Sequence, residues 1–201
     1  MLKNCFRVAA FSLLVLSVGG VGSAGVIHTR AILDGASEAP PNASPGTGIA
    51  YVDFDTTAHT MRVQVTFSGL MAGVTAAHIH AATAAPFTGT ASVATQTPTF
   101  VGFPSAVTSG SYDETFDLTL ASSYRAGFIT ANGGSIANSE AALLFAATHN
   151  TAYLNIHTTA FPGGEIRGFL TVVPEPSSFV LGGFGLMALG FWARRNRRKV
   201  G

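Results

Sequence analysis

Cysteine is all but missing from this chain: Cys5 is the only one among 201 residues. A domain that follows it can close no disulfide, so packing and hydrogen bonds alone must hold it together. Charge is scarce as well, at 10% of residues, and it is unevenly placed. Lys3 and Arg7 lie at the start, and Arg194, Arg195, Arg197, Arg198 and Lys199 lie at the end. Between leader and tail, four basic residues meet nine acidic ones, so the formal net charge of +1 conceals an acidic middle. An acidic body without a basic stripe speaks against nucleic acid as a partner. Two catalytic signatures are also missing. No Gly-x-Ser-x-Gly elbow occurs, and no paired-carboxylate motif for glycoside cleavage. The expectation is a protein that is not an enzyme. Tryptophan occurs once, as Trp192 in the tail, and most other aromatics are Phe at core-like spacing. A sugar-stacking platform therefore has little support.

What the chain does have begins with its two ends. Residues 1–25 read as a signal peptide: Lys3 and Arg7, an apolar run Val8–Val18, then small residues with Gly22 and Ala24 placed for cleavage. Residues 173–201 carry Pro174-Glu175-Pro176, an apolar run Phe179–Ala193 and the arginine cluster. As a helix that run spans roughly 22 Å at 1.5 Å per residue. A hydrocarbon core is roughly 30 Å, so flanking residues must help it cross. Arg194, Arg195, Arg197 and Arg198 would stop transfer and stay cytoplasmic. The order Pro-Glu-Pro, short apolar helix, arginine cluster resembles the PEP-CTERM sorting signal of Gram-negative bacteria. That resemblance implies an exosortase as processing partner and a transient inner-membrane anchor. The destination it implies is the cell surface or the medium, where extracellular polysaccharide is a candidate partner.

Residues 26–172 read as one domain of short alternating segments. Strands are expected at His28–Asp34, Gly48–Asp55, Thr60–Ser68, Val74–Ala81 and Tyr112–Leu120. The cleanest alternation is Met61, Val63, Val65 and Phe67 inward against Arg62, Gln64 and Thr66 outward. A helix is expected over Ser139–Thr148, with Ser139 as its N-cap and Glu140 in the first turn. The stretch from Ala82 to Gly110 offers at most one short strand. Together these predict an all-β, Greek-key-like antiparallel β-sandwich with one short helix.

The chemistry, if any, sits on two ribbons. Thr151–Thr171 predicts a hairpin turning at Phe161-Pro162-Gly163-Gly164, with Tyr153, Asn155 and His157 on one face and Ala152, Leu154 and Ile156 on the other. Its return strand sets Glu165, Arg167 and Phe169 against Ile166, Gly168 and Leu170. Earlier, His78-Ile79-His80 puts two imidazoles on one side of a strand, about 6.5–7 Å apart at Cα. Two readings stay open. In one, His78, His80 and His157 converge on copper or zinc, with Glu165 as a further ligand or supporting acceptor. In the other, the three histidines hydrogen-bond with Asn155, Glu165, Arg167 and backbone in a polar seam. His28, His59 and His149 have no spacing that links them to either.

Several of these stretches together resemble the CHRD domain first described in chordin. The matching residues are Leu33-Asp34-Gly35 with Glu38-Ala39-Pro40-Pro41, Gly48, and Phe67-Ser68-Gly69-Leu70. After them come Ala76-Ala77-His78-Ile79-His80, Asn155-Ile156-His157-Thr158 and Pro162-Gly163-Gly164-Glu165-Ile166-Arg167-Gly168. Ala81-Ala82 stands where a glycine follows the second histidine of the family's motif. The resemblance implies a β-sandwich of extracellular proteins and no established catalytic activity. The expected role is a structural or adhesive binding module, with a copper- or zinc-binding module, weakly redox-active at most, as the alternative.

Overall fold

The structure, a computed structural model, describes residues 25–174. The expected signal peptide and the apolar tail helix lie outside the described residues. Within them no helix is long and apolar enough to cross a membrane.

The elements run β1 (Val26–Asp34), β2 (Thr47–Asp55), β3 (Thr60–Ser68), β4 (Val74–His80) and β5 (Gly110–Asp117). After these come a 3₁₀ turn at Ala121–Ser123, α1 (Ala126–Ala131), α2 (Ile136–Thr148), β6 (Tyr153–Thr158), β7 (Ile166–Phe169) and β8 (Thr171–Val172). The strands pair in the order β4-β6-β7-β1-β2-β3-β5, with β8 beside β1, and every pairing is antiparallel. This corrects the two-sheet expectation: the strands follow one hydrogen-bonded path in a single curled sheet. The curl brings the ends of the path near each other. Residues 94–107 run beside the free edge of β4, exchanging backbone hydrogen bonds with Ile79, Ala77 and Val74, and lead directly into β5. The stretch that looked structureless in sequence therefore covers an edge that would otherwise invite aggregation.

Alternation decides the core. Met61, Val63, Val65 and Phe67 are buried, as are Ala50, Val52 and Phe54 opposite them on β2. From the other side come Leu154, Ile156, Ile166 and Leu170, with Leu143, Ala146 and Ala147 of α2. At Gly168 an added Cβ would stand 2.1 Å from the Ile32 carbonyl oxygen, so only glycine lets β7 lie this close to β1.

Two boundaries differ from expectation. The helix begins one turn earlier, at Ile136, and Ser135 is its N-cap, accepting from the Asn138 amide. Ser139 lies inside the helix and turns its hydroxyl back to the Ser135 carbonyl at 2.8 Å. Strand β5 ends at Asp117 rather than Leu120, because the Asp117 carboxylate accepts from both the amide and the hydroxyl of Thr119 and turns the chain. Leu120, in phase with the strand pattern, is exposed. The short helix α1 carries no sequence signal of its own.

Candidate metal centre

Strand β6 brings the two histidine-bearing ribbons together. It pairs with β4 so that His78 lies opposite Asn155, His80 opposite Tyr153, and Ala76 opposite His157. His78 and His157 are thus diagonal neighbours on one face, with His80 one pleat along. Their ring centroids lie 4.7 Å (His78–His80), 4.7 Å (His78–His157) and 6.1 Å (His80–His157) apart. Each ring offers one nitrogen to a cluster whose ligand atoms all lie within 4.8 Å of one another. The structure thus brings the three rings together.

The orientation of the rings carries more information than their proximity. His78 Nδ1 is 3.2 Å from the Pro98 carbonyl oxygen, His80 Nδ1 is 2.7 Å from that of Ala91, and His157 Nδ1 is 2.9 Å from that of Pro162. A carbonyl only accepts, so each Nδ1 must be the donor, and each neutral ring is left with a bare lone pair on Nε2. Those lone pairs point inward. His78 Nε2 and His157 Nε2 stand 2.9 Å apart, and the buried His80 Nε2 has no hydrogen-bond partner. Their surroundings favour the neutral form of each ring. Burial, then the neighbouring His80 and His157, pushes His78 down to about 3. Burial also takes His80 to about 4 and lowers His157. Three neutral imidazoles whose unprotonated nitrogens cluster within 4.8 Å form a donor set that suits zinc or copper.

The other candidates separate from this cluster. Glu165 shares neither its ligand set nor its hydrogen bonds. Its fully buried carboxylate accepts from Thr158 Oγ1 at 2.5 Å, Ser44 Oγ at 2.6 Å and the Met71 amide at 2.6 Å. The turn explains the departure from strict alternation. Gly164, at φ +130°, precedes β7 and re-aims the chain, so Glu165 reaches the Thr158 side rather than the His157 side. Of the expected polar seam, the backbone part is present, in the carbonyls of Pro98, Ala91 and Pro162, but none of the three rings hydrogen-bonds Asn155, Glu165 or Arg167. Asn155 and Glu38 instead converge on Gly164, where an added Cβ would lie 2.6 Å from the Asn155 amide and from Glu38 Oε1. Glu38 Oε1 and Asn155 Oδ1 are buried without partners, and burial raises Glu38 to about 7 against the opposing pull of Arg167. The remaining histidines stand apart: His28 pairs with Asp53, His59 with Glu140, and His149 with the Phe145 carbonyl.

Sequence reasoning named the three rings but not what aims them. Pro98 and Ala91 lie in the long Ala/Thr/Pro/Gly stretch, where nothing marks a carbonyl as an acceptor. Pro162 could have been found, since a turn five residues after His157 must fold back beside it.

Comparison with known proteins agrees with the motifs. A PEP-CTERM protein-sorting motif is matched over residues 172–198. That motif is the signal an exosortase reads in exported, membrane-processed proteins of Gram-negative bacteria. No curated protein and no solved structure matches the chain. The CHRD domain is matched over residues 29–170, nearly the whole of the described sheet including all three histidines, and the chain belongs to the CHRD domain family.

Proposed function

We propose that this exported protein is a metal-binding module in which His78, His80 and His157 hold one copper or zinc ion through Nε2. The observation that carries the reading is the common tautomer. Three backbone carbonyls fix three Nδ1–H groups, which is how metal-ligating histidines are usually oriented. Without a cation, the 2.9 Å approach of two bare nitrogens is repulsive, and His80 Nε2 is a buried acceptor left unsatisfied. An ion among the three Nε2 atoms would relieve both features, and a set of three imidazole nitrogens suits copper or zinc. The ion would fasten β4 and β6 to the three loops that aim the rings. That suits a non-enzymatic module with a structural or adhesive role outside the cell.

Elemental analysis of the purified protein tests this. One equivalent of copper or zinc per chain is expected, and it is lost in His78→Ala and His157→Ala. Wild-type protein free of metal, with both variants losing thermal stability, would return the histidines to a purely structural role. Sorting is tested separately by replacing Pro174, Glu175 and Pro176 and following the tail by mass spectrometry. The wild type is expected to lose its tail and the variant to keep it.

A further inference from the structure

The three rings are not held equally well. His78 and His157 hang on the carbonyls of Pro98 and Pro162, in backbone stiffened by a proline ring. His80 hangs on Ala91, two residues after Gly89. That glycine has φ +78° and an empty neighbourhood where its side chain would be. The Ala81 amide bonds Ser92, which tethers the far side of the segment to the end of β4. Nothing in residues 89–91 itself fixes where the Ala91 carbonyl points.

Two residues of the closing hairpin supply that constraint. The Ala91 amide donates to the Tyr153 phenol oxygen at 3.2 Å. The same Tyr153 ring stacks on His80, 4.7 Å between centroids and within 5° of parallel. Its hydroxyl also donates to the Ala91 carbonyl at 3.4 Å, so one side chain grips both the imidazole and the carbonyl that orients it. Arg167 holds the segment from its other end, donating from Nη1 to the Gly89 carbonyl at 3.0 Å. Its Nε donates to the Ser37 carbonyl, and its Cζ lies 4.7 Å over the Tyr153 ring. This accounts for an otherwise costly feature. Arg167 is only 4% exposed, and its nearest carboxylate, Glu38, is 3.9 Å away with a pKa raised toward neutrality. A buried guanidinium without a firm counter-ion needs other partners, and here they are two loop carbonyls and an aromatic face. The planar fork reaches both carbonyls at once, which a lysine cannot do.

We propose that Tyr153 and Arg167 are positioning residues of the metal centre: they clamp residues 89–91 so that the Ala91 carbonyl holds His80 as the third ligand. The inference rests on the metal reading above. It gives the Glu-Ile-Arg-Gly run of the hairpin a part in the centre although it touches no ligand nitrogen.

The test is copper(II) binding to the purified protein, followed by competition titration and by electron paramagnetic resonance. Tyr153→Phe keeps the stacked ring and removes only the phenol oxygen. We expect it to weaken copper about 10-fold, within the range of 10- to 100-fold for loss of a ligand's supporting partner. Nitrogen hyperfine structure should pass from three imidazoles toward two. Arg167→Lys should do the same, with a loss at least as large. Val63→Ala, a core change remote from the segment, should lower the melting temperature and leave affinity and spectrum alone. Wild-type affinity and an unchanged three-nitrogen spectrum in Tyr153→Phe would overturn the clamp while leaving the metal centre standing. The clamp also fails if Val63→Ala weakens copper as much as Tyr153→Phe does. A wild type that binds neither copper nor zinc overturns both readings.

Discussion

One sheet, two kinds of face. In β1, β2, β3 and β5 buried and wet positions largely alternate, most cleanly on β3; the departures are Thr29, polar and buried, Glu114, exposed in the inward phase, and Ile32 and Tyr51, exposed on the outer face. In β6 and β7 almost every residue is buried on either side, and the second buried face is polar: His78 on β4, Asn155 on β6 and Arg167 on β7. The difference lies in what covers the outward face. Over β2, β3 and β5 there is only an open cleft of about 520 Å³, lined by Tyr51, Gln64, Asp113 and their neighbours. Over β4, β6 and β7 lie the loop of Glu38 and the segments carrying Ala91, Pro98 and Pro162. Covering polar side chains with backbone forces each to find a partner, because a buried orphan costs about 1–3 kcal/mol. Orphans among the described residues are few: Glu38 Oε1, His80 Nε2 and Asn155 Oδ1, all in this one region. An exposed face tolerates loose electrostatics, and a covered face turns the same residue types into a specified site.

The sharpest way to break the contrast is at Glu165. Its carboxylate is the common acceptor for Thr158, Ser44 and the Met71 amide, so it ties β6 to the loops after β1 and β3. Glu165→Ala leaves three donors buried without an acceptor. We expect a loss of about 3–5 kcal/mol, a large share of a small domain's stability. Urea denaturation measures it. A loss under 1 kcal/mol would mean that water replaces the carboxylate, and that the covered face is wetter than its packing implies.

The same contrast explains how much of the molecule was legible beforehand. Alternation found β2 and β3 and all four inward residues of β3, because one wet face and one dry face give a period of two. It also placed His78, His80 and His157 on one side, since two short motifs kept their pleat. It failed where local hydrogen bonds overrode the period. Asp117 turned the chain before Leu120, and Ser135 took the cap that Ser139 was expected to fill. It failed again at Glu165, where one glycine at positive φ re-aims the next side chain. Loop carbonyls have no side-chain signature, so the groups that orient the imidazoles were invisible. The single curled sheet was equally hidden, because alternation says which face is dry and not how many sheets share it.

A mid-sized effect is expected at Glu38, and its sign follows from linkage. Its folded pKa, about 7, lies above the ordinary 4.5 because burial outweighs the pull of Arg167. The folded state therefore holds a proton that the unfolded chain has released between those values. Its stabilisation is full below about pH 4.5 and is lost as pH rises through 7, by up to about 3 kcal/mol. The buried imidazoles act oppositely. Being lowered, they withdraw stability as pH falls below 6.5. The difference between Glu38→Gln and wild type isolates the carboxyl. The amide stays uncharged at every pH, so the variant should gain on the wild type between pH 5 and pH 8. Denaturation midpoints that run parallel across that range would place an ionised carboxylate at Glu38 instead.

The smallest effect belongs to the exposed half. Arg62 and Asp113 form a two-pronged pair at 2.8 and 2.6 Å across β3 and β5, and Gln64 adds a third bond at 3.1 Å. In drawing, this is a better ion pair than anything Arg167 makes. Yet both side chains are about half exposed, so water screens the attraction and already solvates each partner. Arg62→Ala should leave the denaturation midpoint unchanged within error, whereas Arg167→Ala, with its poorer ion pair, should lower it plainly. If the two substitutions cost the same, cover by the loops contributes nothing, and the two halves of the sheet differ only in their inventory of residues.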